Sequence, residues 1–382
     1  MTNSRRARKS GQDLKTVEAK VVSAPKLEYG PPTLRRYNPP IGLIGCGDIS
    51  EQHLRAYREA SYNIVALSSR HRERAERRRD EFFPGAAIYT DYRELLRRDD
   101  IKVVDIATHA PDRDYLIPAA LRAGKHVLSQ KPFVMDLAKG RRLAELADKL
   151  GVKLAVNHNG RWAPYFSYMR QAVKKGLIGD VYAVHMGCHW NHQWITGTHF
   201  NRLHHIVLYD FASHWFDMLA CLMGDRPALR VTASLQPAPG QTAAPPLLAQ
   251  AMVEFEGGQA SLVFDAATQF GPIETNFVVG TKGTLRSEGP ICAATSVTLA
   301  TRKGIASADV SRGSWFPTGF HGAMAELLWS IEQAREPGNS AASSLRGLAI
   351  CFAAVASAES GKPVAVGKAQ RVPLARCSVA GK

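Results

Sequence analysis

The sequence predicts an α/β protein with a doubly wound parallel sheet first and a second α+β domain carrying an open, largely antiparallel sheet. Three observations predict it. Between residues 40 and 156 short apolar runs alternate with helix-like stretches, the rhythm of a parallel sheet covered on both faces. The first apolar run ends in a glycine turn, Gly45-Cys46-Gly47. After Asn157 the texture changes, and two glycine hairpin signals, Gly257-Gly258 and Lys282-Gly283, stand between runs of strand-forming residues.

The elements follow in order. Pro40–Gly45 reads as a buried strand and Asp48–Ala60 as a helix. Asn63–Leu67 is a strand, Arg72–Phe82 a helix, Ala87–Tyr89 a short strand and Tyr92–Arg97 a short helix. Val103–Ala107, His126–Leu128 and Val152–Val156 complete the strands, because each is short, apolar and without alternation, as strands buried on both faces are. Arg113–Ala123 and Asp136–Leu150 are the intervening helices, the second with Asp136 placed to cap its N-terminus. In the second half a helix is expected over Pro164–Lys175, hairpins over Val253–Phe264 and Asn276–Arg286, and closing helices near His321–Arg335 and Leu345–Ser360. The expected division is a basic, proline-punctuated flexible arm at 1–38, a first domain at 39–158 and a second at 159–382. The flat face of the second sheet is the expected subunit contact of a homo-oligomer.

Bulk composition narrows the function. The chain has 382 residues and a formal net charge of +15, of which residues 1–40 supply +6. The arginines at 70–79 are interrupted by Glu73 and Glu76, with Asp80 and Glu81 following, and no aromatic stacking platform accompanies them. A nucleic-acid partner is therefore not expected. No run approaches a membrane span of roughly 18 apolar residues. No apolar segment follows the N-terminal arginines, so no secretory signal is expected. The six cysteines stand singly, without a CxxC pair, which suggests reduced thiols and a cytoplasmic setting.

Gly45-x-Gly47-x-x-Ser50 follows a strand and opens a helix, the context a dinucleotide fingerprint requires. Gly45 permits the tight turn, and Gly47 lets the backbone approach a pyrophosphate. The helix N-terminus around Cys46, Asp48 and Ile49 offers N–H groups to the anion. Past the second strand, Ser69 and Arg70 stand where an acidic residue would grip a ribose 2′-hydroxyl. Arg70 is suited to a 2′-phosphate, so NADP is expected in preference to NAD. Thr108 and Gln130, at the ends of later strands, are expected to face the same cofactor.

Three features point to a reaction site. Lys131 is carried past a strand end, where an ammonium group can steady a developing negative charge on a substrate oxygen. Asp210 and His214 have the spacing that puts them one turn apart on a helix, and an imidazole titrating near neutrality suits proton transfer. The segment His185–His205 holds six of the thirteen histidines, with Trp190 and Trp194 offering flat faces for the CH surfaces of a sugar. It lacks an HExxH spacing, and no carboxylate accompanies its first five histidines and tryptophans, so no metal is expected.

Gly45 through His53, Gly124 through Pro132, Asn157 through Trp162, and Asp210 through His214 together resemble the Gfo/Idh/MocA oxidoreductases, over roughly residues 40–365. The resemblance implies a Rossmann domain followed by an open-sheet domain, and NAD(P)-dependent oxidation or reduction of a sugar, inositol or related polyol. It implies that Lys131 lies near nicotinamide and substrate, that His214 is the acid/base and that Asp210 binds substrate. Asn157 and Arg161 are expected to complete the substrate contacts. Gln130 stands where glutamate is common, and Arg113 near where many members have a histidine. Two other functions share these features: an enzyme whose cofactor stays bound through an oxidation–reduction cycle, and a cofactor-sensing regulator. A third alternative is a binding module working through the basic arm.

Overall fold

The computed structural model describes residues 20–372. Its first half is β1 (Ile41–Ile44), α1 (Ser50–Glu59), β2 (Ile64–Ser68), α2 (Arg72–Phe82), β3 (Ala87–Tyr89), α3 (Tyr92–Leu96), β4 (Val103–Ile106), α4 (Ala110–Arg122), β5 (His126–Gln130), α5 (Leu137–Lys149) and β6 (Leu154–Asn157). The six strands are all parallel, in the order β3-β2-β1-β4-β5-β6. β1 and β4 are buried along their whole length, because the sheet is covered on both faces. Asp136 caps α5 as expected, accepting from the Lys139 N–H. α4 begins three residues earlier than expected: Pro111 lies in its first turn, where a missing N–H is no loss.

The second half is α6 (Pro164–Lys174), β7 (Val181–His189), α7 (Ser213–Leu222), β8 (Ala228–Gln236), β9 (Leu248–Phe255), β10 (Gly258–Asp265), β11 (Ile273–Gly280), β12 (Gly283–Gly289), β13 (Ser296–Thr301), β14 (Gly304–Asp309), α8 (Thr318–Glu332), α9 (Ala341–Ser360) and β15 (Val364–Ala365). Its nine strands run β14-β13-β12-β11-β7-β10-β9-β8-β15, antiparallel except for the β7–β10 pair. Both expected hairpins are present, closing at Phe255↔Gly258 and Gly280↔Gly283. β7, the central strand, had no reading as a strand in the sequence. It puts His185 and His189 on the open face, where they meet Ser261 and Asp265 of β10, so its alternation is polar against apolar with histidine as the polar member.

Two parts of the chain cross between the halves. α8 follows the second sheet in sequence, yet Phe320, Met324, Leu327 and Leu328 share a core with Ile41, Leu43 and Val103 of the first. α9 packs on β8, α7 and α5. It is twenty residues long and apolar enough to span a bilayer, which corrects the expectation that no run approaches that length, but most of its apolar surface is buried in this packing. Residues 20–38 were expected to be a flexible arm, and the structure corrects this: they lie along the chain's own body. Tyr29 O accepts from Ser167 Oγ, Pro25 O from Tyr168, and the Glu332 carboxylate holds the N–H groups of Arg36 and Tyr37. The rest of that arm, residues 1–19, lies outside the described residues.

Candidate active site

The strand order reverses between β1 and β4, so their C-terminal ends part and leave a crevice. Gly45, Cys46 and Gly47 form its floor, Ser69 and Arg70 one flank, and Thr108 the other. Gly45 has φ +102°, and a Cβ there would stand 2.7 Å from Thr108 Cγ2 and 2.8 Å from Ala107 O. Only glycine fits that turn. Gly47 meets nothing within 4 Å in the direction a Cβ would take, so a ligand can approach its backbone closely. Ser50 Oγ donates to Gly47 O at 2.5 Å and ties the turn to the start of α1. Thr108 Oγ1 is buried without a partner, an orphan that a ligand oxygen or amide would satisfy. These features fit a dinucleotide, held by the turn from Cys46 to Ile49 with Ser69, Arg70 and Thr108. The Cys46 thiol is pushed up to about 12, chiefly by burial, and so remains protonated. Asp48, one of the expected cofactor residues, is exposed and lines neither this crevice nor the cavity beside it.

The adjoining cavity has a volume of about 200 Å³. It collects Ile49, Gln130, Lys131, Trp194, Asp210 and His214 from across the chain. The bond Lys131–Pro132 is cis. Lys131 N donates to Gln130 Oε1 at 2.9 Å, and Lys131 Nζ donates to Asp210 O at 2.8 Å and Oδ2 at 3.4 Å. Arg113 does not reach the cavity. Its guanidinium is wholly buried and grips Thr108 O at 2.7 Å, Lys131 O at 3.5 Å and Pro132 O, so it fixes the two strand ends that flank the site. Burial pulls its pKa down to about 10.

Asp210 and His214 were expected on one regular helix. Instead a stretch of π-helix, Ile206–Phe211, carries Asp210, and His214 lies in the first turn of α7. The wider turn brings the Asp210 backbone carbonyl, as well as its carboxylate, onto Lys131. His214 Nδ1 is buried without a partner. Burial, then the positive charge of Lys131 and the neighbouring His158, hold the imidazole well below its ordinary pKa, so it stands neutral near pH 7.

Three expected substrate residues lie elsewhere. Asn157 is fully buried and donates to His53 Nε2 at 3.2 Å, while His53 Nδ1 and Tyr57 both serve Asp105 Oδ2 at 2.6 Å. Arg161 pairs with Asp217 at 2.7 and 2.5 Å and also donates to Gly338 O and Ser343 Oγ. Both are committed to the protein interior. Trp190 lies behind the cavity wall, stacked on Phe211 with ring centroids 4.1 Å apart. Conversely His192, Asn159, Trp315 and Phe316 line the cavity without having been singled out. The Trp315-Phe316-Pro317 run was the only local signal for the last two.

Residues 40–158 match the family model described as the oxidoreductase family with an NAD-binding Rossmann fold, and residues 166–286 match the GFO/IDH/MocA C-terminal domain. A D-apiose dehydrogenase of Paraburkholderia graminis is 32% identical over 48% of this chain and 49% of its own length. A 1,5-anhydro-D-fructose reductase of Ensifer adhaerens is 31% identical over 64% of this chain and 74% of its own. The chain thus spans about half the length of the apiose enzyme, and 42% of each of two dTDP-3,4-didehydro-2,6-dideoxy-α-D-glucose 3-reductases, from Actinomadura kijaniata and Streptomyces violaceoruber. Among solved structures, an Agrobacterium radiobacter oxidoreductase in complex with NAD+, L-tartaric acid and magnesium superposes with TM-score 0.77 and 21% identity over 86% of this chain and 99% of that one. A levoglucosan dehydrogenase in complex with NADH and levoglucosan gives 0.74 and 20% over 87% and 100%. At such identities the superpositions speak for the fold.

Proposed function

The chain belongs to the Gfo/Idh/MocA oxidoreductase family, and on that premise we propose that it transfers hydride between a nicotinamide dinucleotide and a carbinol or keto carbon of a sugar, inositol or related polyol. The observation that carries the reading is the meeting of Lys131, Asp210 and His214 in one cavity beside the glycine turn. The nicotinamide, when bound, supplies the hydride acceptor or donor. In the oxidative direction His214, neutral at pH 7, takes the hydroxyl proton. Lys131 steadies the negative charge that develops on the same oxygen. Asp210 holds the ammonium group in place through two contacts and offers its carboxylate to a neighbouring hydroxyl. Trp194, Phe200, Phe211 and Trp315 wall the cavity with apolar surface, which limits water and suits the CH faces of a sugar ring. The names of two of those relatives, an apiose dehydrogenase and an anhydrofructose reductase, fall in this substrate class.

NADP is the cofactor this reading favours. The end of β2 carries no carboxylate, and His71 and Arg74 join Arg70 along the crevice. A homo-oligomer through the open face of the nine-stranded sheet fits the exposed Met252, Phe277 and Ile305 there. The singly placed thiols, with Cys46, Cys188 and Cys351 buried, suit a cytoplasmic setting.

The test is absorbance of the reduced nicotinamide across a sugar and polyol panel with NADP and NAD. Turnover of at least one compound is expected. Lys131→Ala and His214→Ala should each lower it by about 10²–10⁴ while cofactor affinity holds. Near-native turnover in either variant removes that residue from the mechanism, and a panel wholly without turnover overturns the reading.

A further inference from the structure

The histidine-rich segment contributes one imidazole to the cavity that the proposed mechanism does not use. His192 is only 6% exposed. Its Nδ1 faces two indoles, with Trp190 Nε1 at 2.9 Å and Trp194 Nε1 at 3.2 Å. An indole nitrogen can only donate. Nδ1 must therefore carry the lone pair, and in the neutral ring the proton sits on Nε2. Charging the ring would put a proton on Nδ1, facing two donors in a site with little water. The other groups facing the ring point the same way in sum: burial and the Lys131 charge oppose protonation, Asp210 favours it, and the pKa falls to about 4. The ring is also held mechanically. Phe211 and Trp194 pack edge-on against it at 5.0 and 4.9 Å between centroids, and the His192 N–H is tied to Ala266 O at 2.7 Å. Nε2 has no partner among the described residues, and the ring lines the cavity with Lys131, Asp210 and His214.

We infer that His192 is a specificity-determining residue: a neutral ring locked by two tryptophans, presenting its Nε2–H to an acceptor oxygen on the non-reacting part of the substrate. The inference rests on the reading of this cavity as the substrate site and deepens it. A fixed single donor donates to a hydroxyl, ring or carbonyl oxygen and is left unpaired by an analogue lacking that oxygen. It also gives Trp190 a function it cannot have by contact, since Trp190 lies behind the wall and acts through the His192 ring. In this arrangement His192 and His214 divide the work: one never exchanges its proton, the other must.

Two measurements decide it. In the full chain, ¹⁵N–¹H correlation of the histidine rings should show His192 neutral with the proton on Nε2 throughout pH 6–8. A proton on Nδ1, or titration within that range, overturns the inference whatever the substrate is. D-apiose and myo-inositol are then used as probes. For a probe that is turned over, His192→Phe, which keeps a flat ring, should raise KM by about tenfold to a hundredfold, with kcat within about threefold and NADP affinity unchanged. His192→Gln, which restores a donor near the Nε2 position, should recover part of that loss. An unchanged KM in His192→Phe overturns the selective role. Failure of the wild-type chain to turn over either probe counts against the substrate class proposed above, while the ring measurement still decides the state of His192.

Discussion

The two sides of the cavity are built by opposite means. On the first-sheet side the working surface is backbone: a glycine turn, a helix N-terminus and two strand ends spread apart by topology. On the other side it is side chain, drawn from segments around residues 192, 210, 292 and 315 that meet only in the folded chain. The first surface depends on which positions lack a side chain, the second on polar groups partnered behind it. Buried pairs and neutral imidazoles should therefore dominate the sensitivity of the second side, and steric fit that of the first.

The sharpest break of this comparison is Arg161→Met. Removing the guanidinium leaves Asp217 buried without its two hydrogen bonds, with His158 at 3.5 Å and the Arg170 charge beyond it as the remaining groups that favour its ionised form. The cost should be about 3–5 kcal/mol of stability, the usual result of stranding a buried charge. Chemical denaturation measures it. KM for any substrate should stay put, because the side chain does not reach the cavity. A raised KM at unchanged stability would return Arg161 to substrate binding and undo the division.

Acid should expose the same side next. His158 and His192 both have pKa values pulled from the ordinary 6.5 to about 4 by burial. The unfolded chain binds protons at these groups from about pH 6.5 downward, and the folded chain only near pH 4. Stability is therefore fully present above about pH 6.5 and lost as pH falls toward 4. By pH 5 each ring should remove about 2 kcal/mol. Denaturation curves at pH 7 and pH 5 test this, and stability unchanged between them would mean that the two rings are charged in the native state or reached by water.

That division also explains what the sequence could disclose. The parallel sheet was legible because its strands are uniform apolar runs, and Gly45 and Gly47 because a backbone site leaves its mark as absent side chains at fixed spacing. Lys131, Asp210 and His214 were singled out through short-range context, and the fold brings them to one cavity. β7 was missed because its polar face is histidine, read instead as part of the candidate substrate segment His185–His205. Asn157 and Arg161 were misplaced because polar residues near a strand end can turn inward as easily as outward. His53, Asp105 and Asp217, fifty or more residues away, settle the direction. His192 was lost among its neighbours, since only the fold shows which of the six histidines has two indoles on one nitrogen.

On the backbone side the largest effect should come from Gly45→Ala. The substitution forces a side chain into φ +102° and against Thr108 and the Ala107 carbonyl. Strain of this kind is worth about 1–3 kcal/mol. Dinucleotide affinity should fall at least about tenfold, the share of that strain that relaxing the turn moves onto the ligand. Fluorescence titration with NADP measures it. Native affinity would show that the turn can shift without loss, and that the cradle is less rigid than its geometry implies.

Arg70 should give the smallest effect, and the most informative about cofactor choice. Its side chain is 77% exposed and pairs with Asp112 at 3.3 Å, an ion pair worth little in water. A 2′-phosphate would compete with Asp112 for the same guanidinium. Arg70→Ala should therefore weaken NADP by about fivefold to tenfold, near 1 kcal/mol, and leave NAD unchanged. Asp112→Asn removes the competitor and a negative charge from the crevice, so NADP should bind more tightly and NAD as before. Both differences should shrink at high salt, because the groups are exposed to screening. Calorimetric titration of the two nucleotides at low and high salt provides the check. Tighter binding of NAD than of NADP by the wild-type chain would assign the crevice to an unphosphorylated ribose and leave Arg70 as a surface partner of Asp112.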